Sequence, residues 1–472
     1  MQFNREQNKI FEFVENEIGS LVVEARAGTG KTTTGVEACN RIDADKSITF
    51  VAFNKSIAEE LKWKVSSNVR AMTSHSMGFR SLMFANKKIK VDQNKCRNIY
   101  RQRDFNPALE GSTMQLVSLG KTTDTRYPDL DQLLNYYDIN AEADYLETIV
   151  EQAKDVLDES LNNMDVIDFD DMIYLPALGR SRLYPVDYLF VDEAQDMNAA
   201  QLAMFKRAMK FESRLIAIGD RNQSIYGFRG ADVEAIPRII SEFDAKRLPL
   251  STCYRCAESI IRLAQQIVPE IQPKPNAPKG EIHNIISDRI FDKAKSGDLI
   301  LCRINAPLVN YALSFISRGI KAQVLGRDIG KSLLSLMSKI LKRYTADSVV
   351  AFLRALQEYT YTETAKLLAA EKYSMAGALE DKSETLIVLC SHAKTLDDIP
   401  VLIEKIFSDE IYGITLSSIH KAKGMEADNV FILRPDLLPY PKAKGWQLQQ
   451  ELNLKYVAIT RAKNELTFVE GF

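Results

Sequence analysis

Apolar residues gather in short runs, separated by longer stretches of helical period. The first run, SLVVEA from Ser20, leads into a glycine-bearing loop, ARAGTGKT, then the helical sequence TTTGVEACNRI, with a second apolar run at Ile48 to Phe53. That order predicts strand, loop, helix and strand, the opening of a βαβ unit. Further strands are expected at Val186 to Val191, Leu215 to Ile218, Leu299 to Cys302, Ile414 to Ser417, Val430 to Leu433 and Glu465 to Val469. Most are apolar and bounded by helical patterns, as in parallel sheets covered on both faces. Ser81 to Arg180 and Ser332 to Glu410 read as mainly helical insertions between the strand-rich blocks. The proline-rich segment Pro269 to Gly280 predicts a stiff connection and no helix.

A chain of 472 residues exceeds one ordinary core and predicts several domains. Its 46% hydrophobic and 26% charged residues exclude a disordered or fibrous class. No apolar run has the length of a membrane span, and MQFNREQNKIFEF lacks the apolar stretch of a signal peptide, so an intracellular, cytoplasmic location is expected. In a cell this means association with the nucleoid, or the host cytoplasm if the chain is viral. Six irregularly spaced cysteines predict thiols in a reducing compartment. The net charge of −2 argues against a uniformly basic coat for nucleic acid but permits a groove of concentrated Lys and Arg.

The loop from Ala25 to Thr32 has the Lys and Thr of a phosphate-binding loop, with Ala25 where the general pattern has its first glycine. Gly28 and Gly30 let backbone N–H groups turn toward phosphate oxygens at the positive end of the next helix, with Ala27, Thr29 and Thr33 completing the cradle. Lys31 is expected to reach the β and γ phosphates of ATP, and Thr32 to hold Mg²⁺. YLFVDEAQD, Tyr188 to Asp196, ends an apolar strand in adjacent carboxylates. There Asp192 is expected to meet Mg²⁺ and Glu193 to orient the attacking water. The C-x-x-C pair Cys253 and Cys256 lacks a second pair and is read as neither a zinc nor a redox site. DFDDM, Asp168 to Met172, is read as structural and not as a two-metal nuclease.

DEAQD is followed in order by IGDRNQSIYGFRGAD, LSTCYRC, ITLSSIHKAKGMEADNVFIL and LKYVAITRAKNEL. Together these resemble the motif series of UvrD-like (UvrD/PcrA/Rep) superfamily 1 DNA helicases, in which alanine is common at the first loop position. FVAFNKSIAEEL and MTSHSMGF are most similar to the eukaryotic F-box DNA helicase and small viral relatives. The resemblance implies that Gln7 reads the adenine edge, Tyr254 stacks on the adenine and Glu426 contacts the ribose. It implies that Arg255 and Arg461 approach the γ-phosphate from a second motor domain, and that Gln223 links the γ-phosphate to the DNA-binding surface. By the same resemblance Phe53, Asn54, Thr73, His75, Phe228, Arg229 and His420 belong to the DNA track, with Ser76 beside them. Core packing is an alternative reading of Phe53.

The implied fold is α/β, with two RecA-like parallel-sheet motor domains, each carrying a mainly helical insertion. The first motor domain takes 1–80 and 181–243 with insertion 81–180, and the second takes 244–331 and 411–472 with the short insertion 332–410. The implied function is an ATP- and Mg²⁺-dependent helicase or translocase moving 3′ to 5′ on single-stranded DNA and at duplex junctions. RNA is a less favoured track, and no membrane partner is expected. A nucleotide kinase or signalling ATPase would leave the later arginine motifs unexplained. With Phe472 close after Arg461, no fused nuclease domain is expected.

Overall fold

The structure, a computed structural model, describes residues 2–471 apart from 138, 140–144, 226–233, 370–372, 411, 442 and 444. The chain divides into two units, Met1–Thr252 and Cys253–Phe472, each built on its own parallel sheet.

The large sheet of the first unit has six strands: β1 (Leu21–Ala25), β2 (Ile48–Ala52), β3 (Val69–Thr73), β4 (Val186–Val191), β5 (Met209–Gly219) and β6 (Lys246–Leu250). They lie in the order β3-β2-β4-β5-β1-β6, every pairing parallel. The central strands are apolar on both faces because helices cover both. One face packs Ile10, Phe11, Ala38 and Leu61 against Phe50, Phe190 and Ile218, and the other packs Met77, Ile173, Met204 and Phe205 against Val51, Leu189 and Ala217. The two edge strands were not among those expected from the sequence. β3 reads VRAMT and β6 reads KRLPL, where the exposed Arg70, Lys246 and Arg247 interrupt the apolar run and Pro249 is tolerated at the border.

Helices Lys95–Gln102, Glu110–Gly120, Leu130–Tyr136 and Leu146–Asn162 form a separate small core around Tyr100, Leu116, Ile149 and Val156. Buried ion pairs anchor this core to the rest of the unit. Lys95 Nζ lies 2.7 Å from Asp171 Oδ2, and Lys121 Nζ lies 2.6 Å from Asp168 Oδ2 and 2.8 Å from Asp171 Oδ1. Burial alone would lower the Lys121 pKa, but the Asp171 and Asp168 carboxylates outweigh it and hold the ammonium charged. The DFDDM carboxylates at 168 and 171 are thereby engaged by ammonium groups.

Helix Ser74–Ala85 crosses the DFDDM segment at Gly78, where an added Cβ would fall 1.7 Å from the Met172 carbonyl oxygen. Backbone cannot yield as a flexible side chain can. Gly78→Ala is therefore expected to destabilise the chain by about 1–3 kcal/mol, the usual cost of overpacking, measured by urea denaturation. An unchanged midpoint would mean that this contact is looser than described.

The large sheet of the second unit has seven strands: β7 (Glu281–Ile286), β8 (Leu299–Cys302), β9 (Ala322–Leu325), β10 (Phe407–Ser408), β11 (Ile414–Ser418), β12 (Ala427–Leu433) and β13 (Ala462–Glu470). Their order is β7-β13-β12-β8-β11-β9-β10, again with parallel pairings. Helices Arg327–Arg343, Val349–Ala369, Tyr373–Ser391 and Asp398–Ile406 do not form a core of their own. Leu333, Phe352, Leu386 and Ile403 join one cluster with Ile300, Val324 and Leu416 of the sheet.

Candidate functional site

In the first unit the site forms where β1, β4 and β5 end side by side, because parallel strands present their carboxyl ends together. After β1 the backbone reverses through Gly28 (φ 68°) and Gly30 (φ 80°), which caps the helix Lys31–Asn40 in the left-handed conformation that glycine favours. Thr29 Oγ1 donates to the Arg26 carbonyl at 2.9 Å and fixes the turn, while Ala27 is buried beneath it. Thr33 is exposed in the first helical turn.

Lys31 Nζ lies 3.1 Å from Glu193 Oε1, and Thr32 Oγ1 donates to Asp192 Oδ2 at 2.7 Å. Two contacts therefore join the loop to the end of β4. Burial alone would lower the Lys31 pKa, but Glu193, Asp220 and Asp192 raise it above the ordinary lysine value. Asp192 is pushed up to about 6 by burial and by the Glu193 charge, with Lys31 and the Thr32 hydroxyl opposing. A hydroxyl and a carboxylate brought together in this way are a hard-oxygen set suited to Mg²⁺. Thr32 and Asp192 are the residues that would hold it.

Glu193 adopts φ 52°, an uncommon conformation for a residue with a side chain, and its Oε2 accepts from Gln195 Nε2 at 2.5 Å. Gln195 Oε1 in turn accepts from the Asp220 N–H at 2.9 Å, and Gln223 Nε2 donates to Asp220 Oδ2 at 2.7 Å. A continuous polar chain thus runs from Lys31 through Glu193 and Gln195 to Asp220 and Gln223. Burial raises the Asp220 pKa, against the Lys31 and Arg26 charges. Gln195 and Asp220 were not singled out from the sequence, although both stand inside quoted motifs. Their signal is a contact between strand ends that lie 25 residues apart in the chain.

Gln7 is buried beside the loop. Its Oε1 accepts from the Asn4 N–H at 3.0 Å in a capping box, and its Nε2 donates to Thr34 Oγ1 at 3.0 Å.

Phe53 follows β2 and is 48% exposed, so it does not pack in the core. Asn54 and Thr73 cap the two neighbouring helices, accepting from Ile57 N–H at 2.9 Å and Ser76 N–H at 3.2 Å. The His75 ring stands edge-on to the exposed Phe169, with centroids 6.5 Å apart. Ala52 pairs with Thr73, which puts these residues at the carboxyl ends of adjacent strands. Phe228 and Arg229 lie outside the described residues.

In the second unit Tyr254 is 40% exposed, beside a compact charged group. Arg255 Nε lies 2.5 Å from Glu426 Oε2, and Lys463 Nζ lies 2.9 Å from Glu426 Oε1. Burial would raise the Glu426 pKa, but Lys463 and Arg255 lower it below the ordinary carboxyl value. Arg461 is buried and donates to the Val457 and Met425 carbonyls at 3.0 Å each. Cys253 and Cys256 are buried free thiols, and Cys256 Sγ donates to the Thr460 carbonyl at 3.6 Å. His420 follows β11 and precedes Lys421, which pairs with Asp328. No helix among the described residues is long and apolar enough to cross a membrane.

Residues 3–244 match the family profile of the UvrD/REP helicase N-terminal domain, and residues 349–470 that of the UvrD-like helicase C-terminal domain. The chain is 23% identical to the ATP-dependent DNA helicase PcrA of Bacillus subtilis (strain 168), over 96% of this chain and 81% of that protein. It is 23% identical to F-box DNA helicase protein 1 of Schizosaccharomyces pombe, over 98% of this chain and 56% of that one. The figures for F-box DNA helicase 1 of Gallus gallus are 24%, 98% and 48%. The chain spans about half the length of these two F-box relatives.

Proposed function

The chain belongs to the UvrD-like family of ATP-dependent DNA helicases, and from that premise we propose that it is a 3′ to 5′ motor on single-stranded DNA that separates strands at duplex junctions. The observation that carries the reading is the pair of contacts joining the phosphate loop to the strand-end acids, Lys31 to Glu193 and Thr32 to Asp192. They bring a phosphate-binding cation, a metal-holding oxygen pair and a carboxylate base to one place. Bound Mg²⁺ supplies charge neutralisation to the phosphates.

In this reading Lys31 and the loop N–H groups hold the terminal phosphates, and Glu193 takes a proton from the attacking water. Gln195 holds Glu193 in place. Gln223, at the far end of the same polar chain, is assigned to link the phosphate site to DNA binding. Arg255 and Arg461 are assigned to neutralise charge that develops during phosphoryl transfer. Gln7 and Tyr254 are assigned to the adenine and Glu426 to the ribose. Phe53, Asn54, Thr73, His75 and His420 are assigned to the strand, as are Phe228 and Arg229.

Two outcomes follow. Phe53→Ala is expected to weaken binding to single-stranded oligo-dT by about 1–3 kcal/mol, the worth of one base–aromatic stack, with ATP affinity unchanged. Fluorescence anisotropy with a labelled oligonucleotide measures it, and undiminished binding removes Phe53 from the track. Arg255→Ala is expected to lower the DNA-stimulated ATPase rate by about a thousand-fold, the low end for loss of such an arginine. A rate within a few-fold of wild type would reject that role.

A further inference from the structure

A cavity in the first unit opens between β2, β3 and the helix Ser74–Ala85. Its volume is about 430 Å³, within the range of sites that take small molecules or single side chains. Thr49, Arg70 and Met72 border it from β2 and β3. Helix Ser74–Ala85 contributes Met77, Arg80, Ser81 and Phe84, a single helical face by their spacing. The segment Arg182 to Pro185 closes the third side. The walls are tied together, because Ser81 Oγ lies 2.7 Å from Ser181 Oγ and donates to the Gly78 carbonyl at 2.7 Å.

Three guanidinium groups rim an apolar floor. Arg70 stacks over the Tyr184 ring at 4.2 Å, and Arg80 and Arg182 are exposed. Among the described residues none of the three has an acidic partner, in a chain whose acids otherwise outnumber its bases. Phe84 and Tyr184, 81% and 61% exposed, stand beside them. Exposed aromatics and arginines over a floor that includes the buried Met72 and Met77 form the composition that marks recognition surfaces.

We infer that this cavity docks an acidic protein segment that inserts one apolar side chain between Phe84 and Tyr184 while its carboxylates meet Arg70, Arg80 and Arg182. The charge fixes the sign of the partner, and the apolar floor favours a side-chain anchor over a bare phosphate. The cavity's near side, Met72 and Met77, adjoins Thr73 and Ser76, and its far side lies further from them. Thr49 and Arg70 are paired second residues of β2 and β3, about 10 Å down the strands from Thr73 and the face that carries Phe53. The charge and shape argument stands on the cavity alone, while the ATPase and oligo-dT controls rest on the motor reading.

The test selects a random dodecapeptide phage library on the full chain, then measures a synthetic selected peptide by fluorescence anisotropy. Acidic residues flanking one aromatic or aliphatic residue are expected to be enriched. Binding is expected to weaken at least about ten-fold in Phe84→Ala and in the double variant Arg80→Glu/Arg182→Glu, and to survive in Arg80→Lys/Arg182→Lys. All three residues are exposed, so the variants are expected to melt like the wild type, and their ATPase rate and oligo-dT affinity are expected to be unchanged. Selection without acidic enrichment, or full binding by the charge-reversed chain, overturns the proposal. So does loss of oligo-dT affinity in that chain, which gives the cavity to nucleic acid.

Discussion

Glu193→Gln is expected to leave ATP binding close to wild type while lowering the DNA-stimulated hydrolysis rate by about 10²–10⁴-fold, the contribution of a positioned general base. The substitution is nearly isosteric, so the unusual backbone at φ 52° can persist, and the one amide oxygen can keep either the Lys31 or the Gln195 contact. What disappears is the capacity to take a proton. Phosphate release at saturating oligo-dT, beside equilibrium binding of a fluorescent ATP analogue, separates the two effects. A variant that turns over within a few-fold of wild type would mean that another group is the base.

Lys31→Ala is expected to act on both binding and turnover, lowering kcat/KM for ATP by at least about 10²–10³-fold, as for loss of a charge stabiliser in a buried site. It also has a consequence for stability. In the wild-type chain Lys31 faces Glu193, Asp220 and Asp192, and its cation opposes the burial that raises the Asp192 and Asp220 pKa values. Without it those folded-state values rise further above the unfolded carboxyl value. A raised carboxyl pKa favours the fold only while the group is protonated, so stability is lost as pH rises through that window. The melting temperature of Lys31→Ala is therefore expected to fall below wild type most at pH 8, and least at pH 5. An equal deficit at both pH values would show that the three carboxylates do not depend on Lys31.

The parts of the site written in local spacing were legible in the chain. Gly28, Gly30, Lys31 and Thr32 sit in one turn, and Asp192 and Glu193 at the end of one apolar strand. Both patterns survive as strings because the chemistry needs neighbours. Gln195 and Asp220 escaped notice because their roles arise from the alignment of β4 and β5, which no single stretch encodes. Gln7 was read for a nucleotide role, and its capping box with Asn4 was not foreseen.

The same distinction holds for the fold. Central strands such as VDYLFV and LILC announced themselves by apolar runs. The edge strands VRAMT, KRLPL and EIHNII did not, since an edge strand need not be apolar throughout and tolerates Arg70, Pro249 and His283. The helical stretch before β11 was legible as helix, but its sharing of one core with the sheet was not. Helical period tells which face is buried and not what it is buried against.

The central claim is that ATP hydrolysis at the Lys31 and Glu193 site drives 3′ to 5′ movement on single-stranded DNA. Its most direct measurement is strand displacement from duplexes carrying a 3′ or a 5′ single-stranded tail of DNA, or a 3′ tail of RNA, with ATP and Mg²⁺ and with Glu193→Gln as control. The account predicts displacement from the 3′ DNA tail, little from the 5′ tail or the RNA, and none in the variant. Displacement that is indifferent to ATP, that persists in Glu193→Gln, or that prefers the 5′ tail would contradict it.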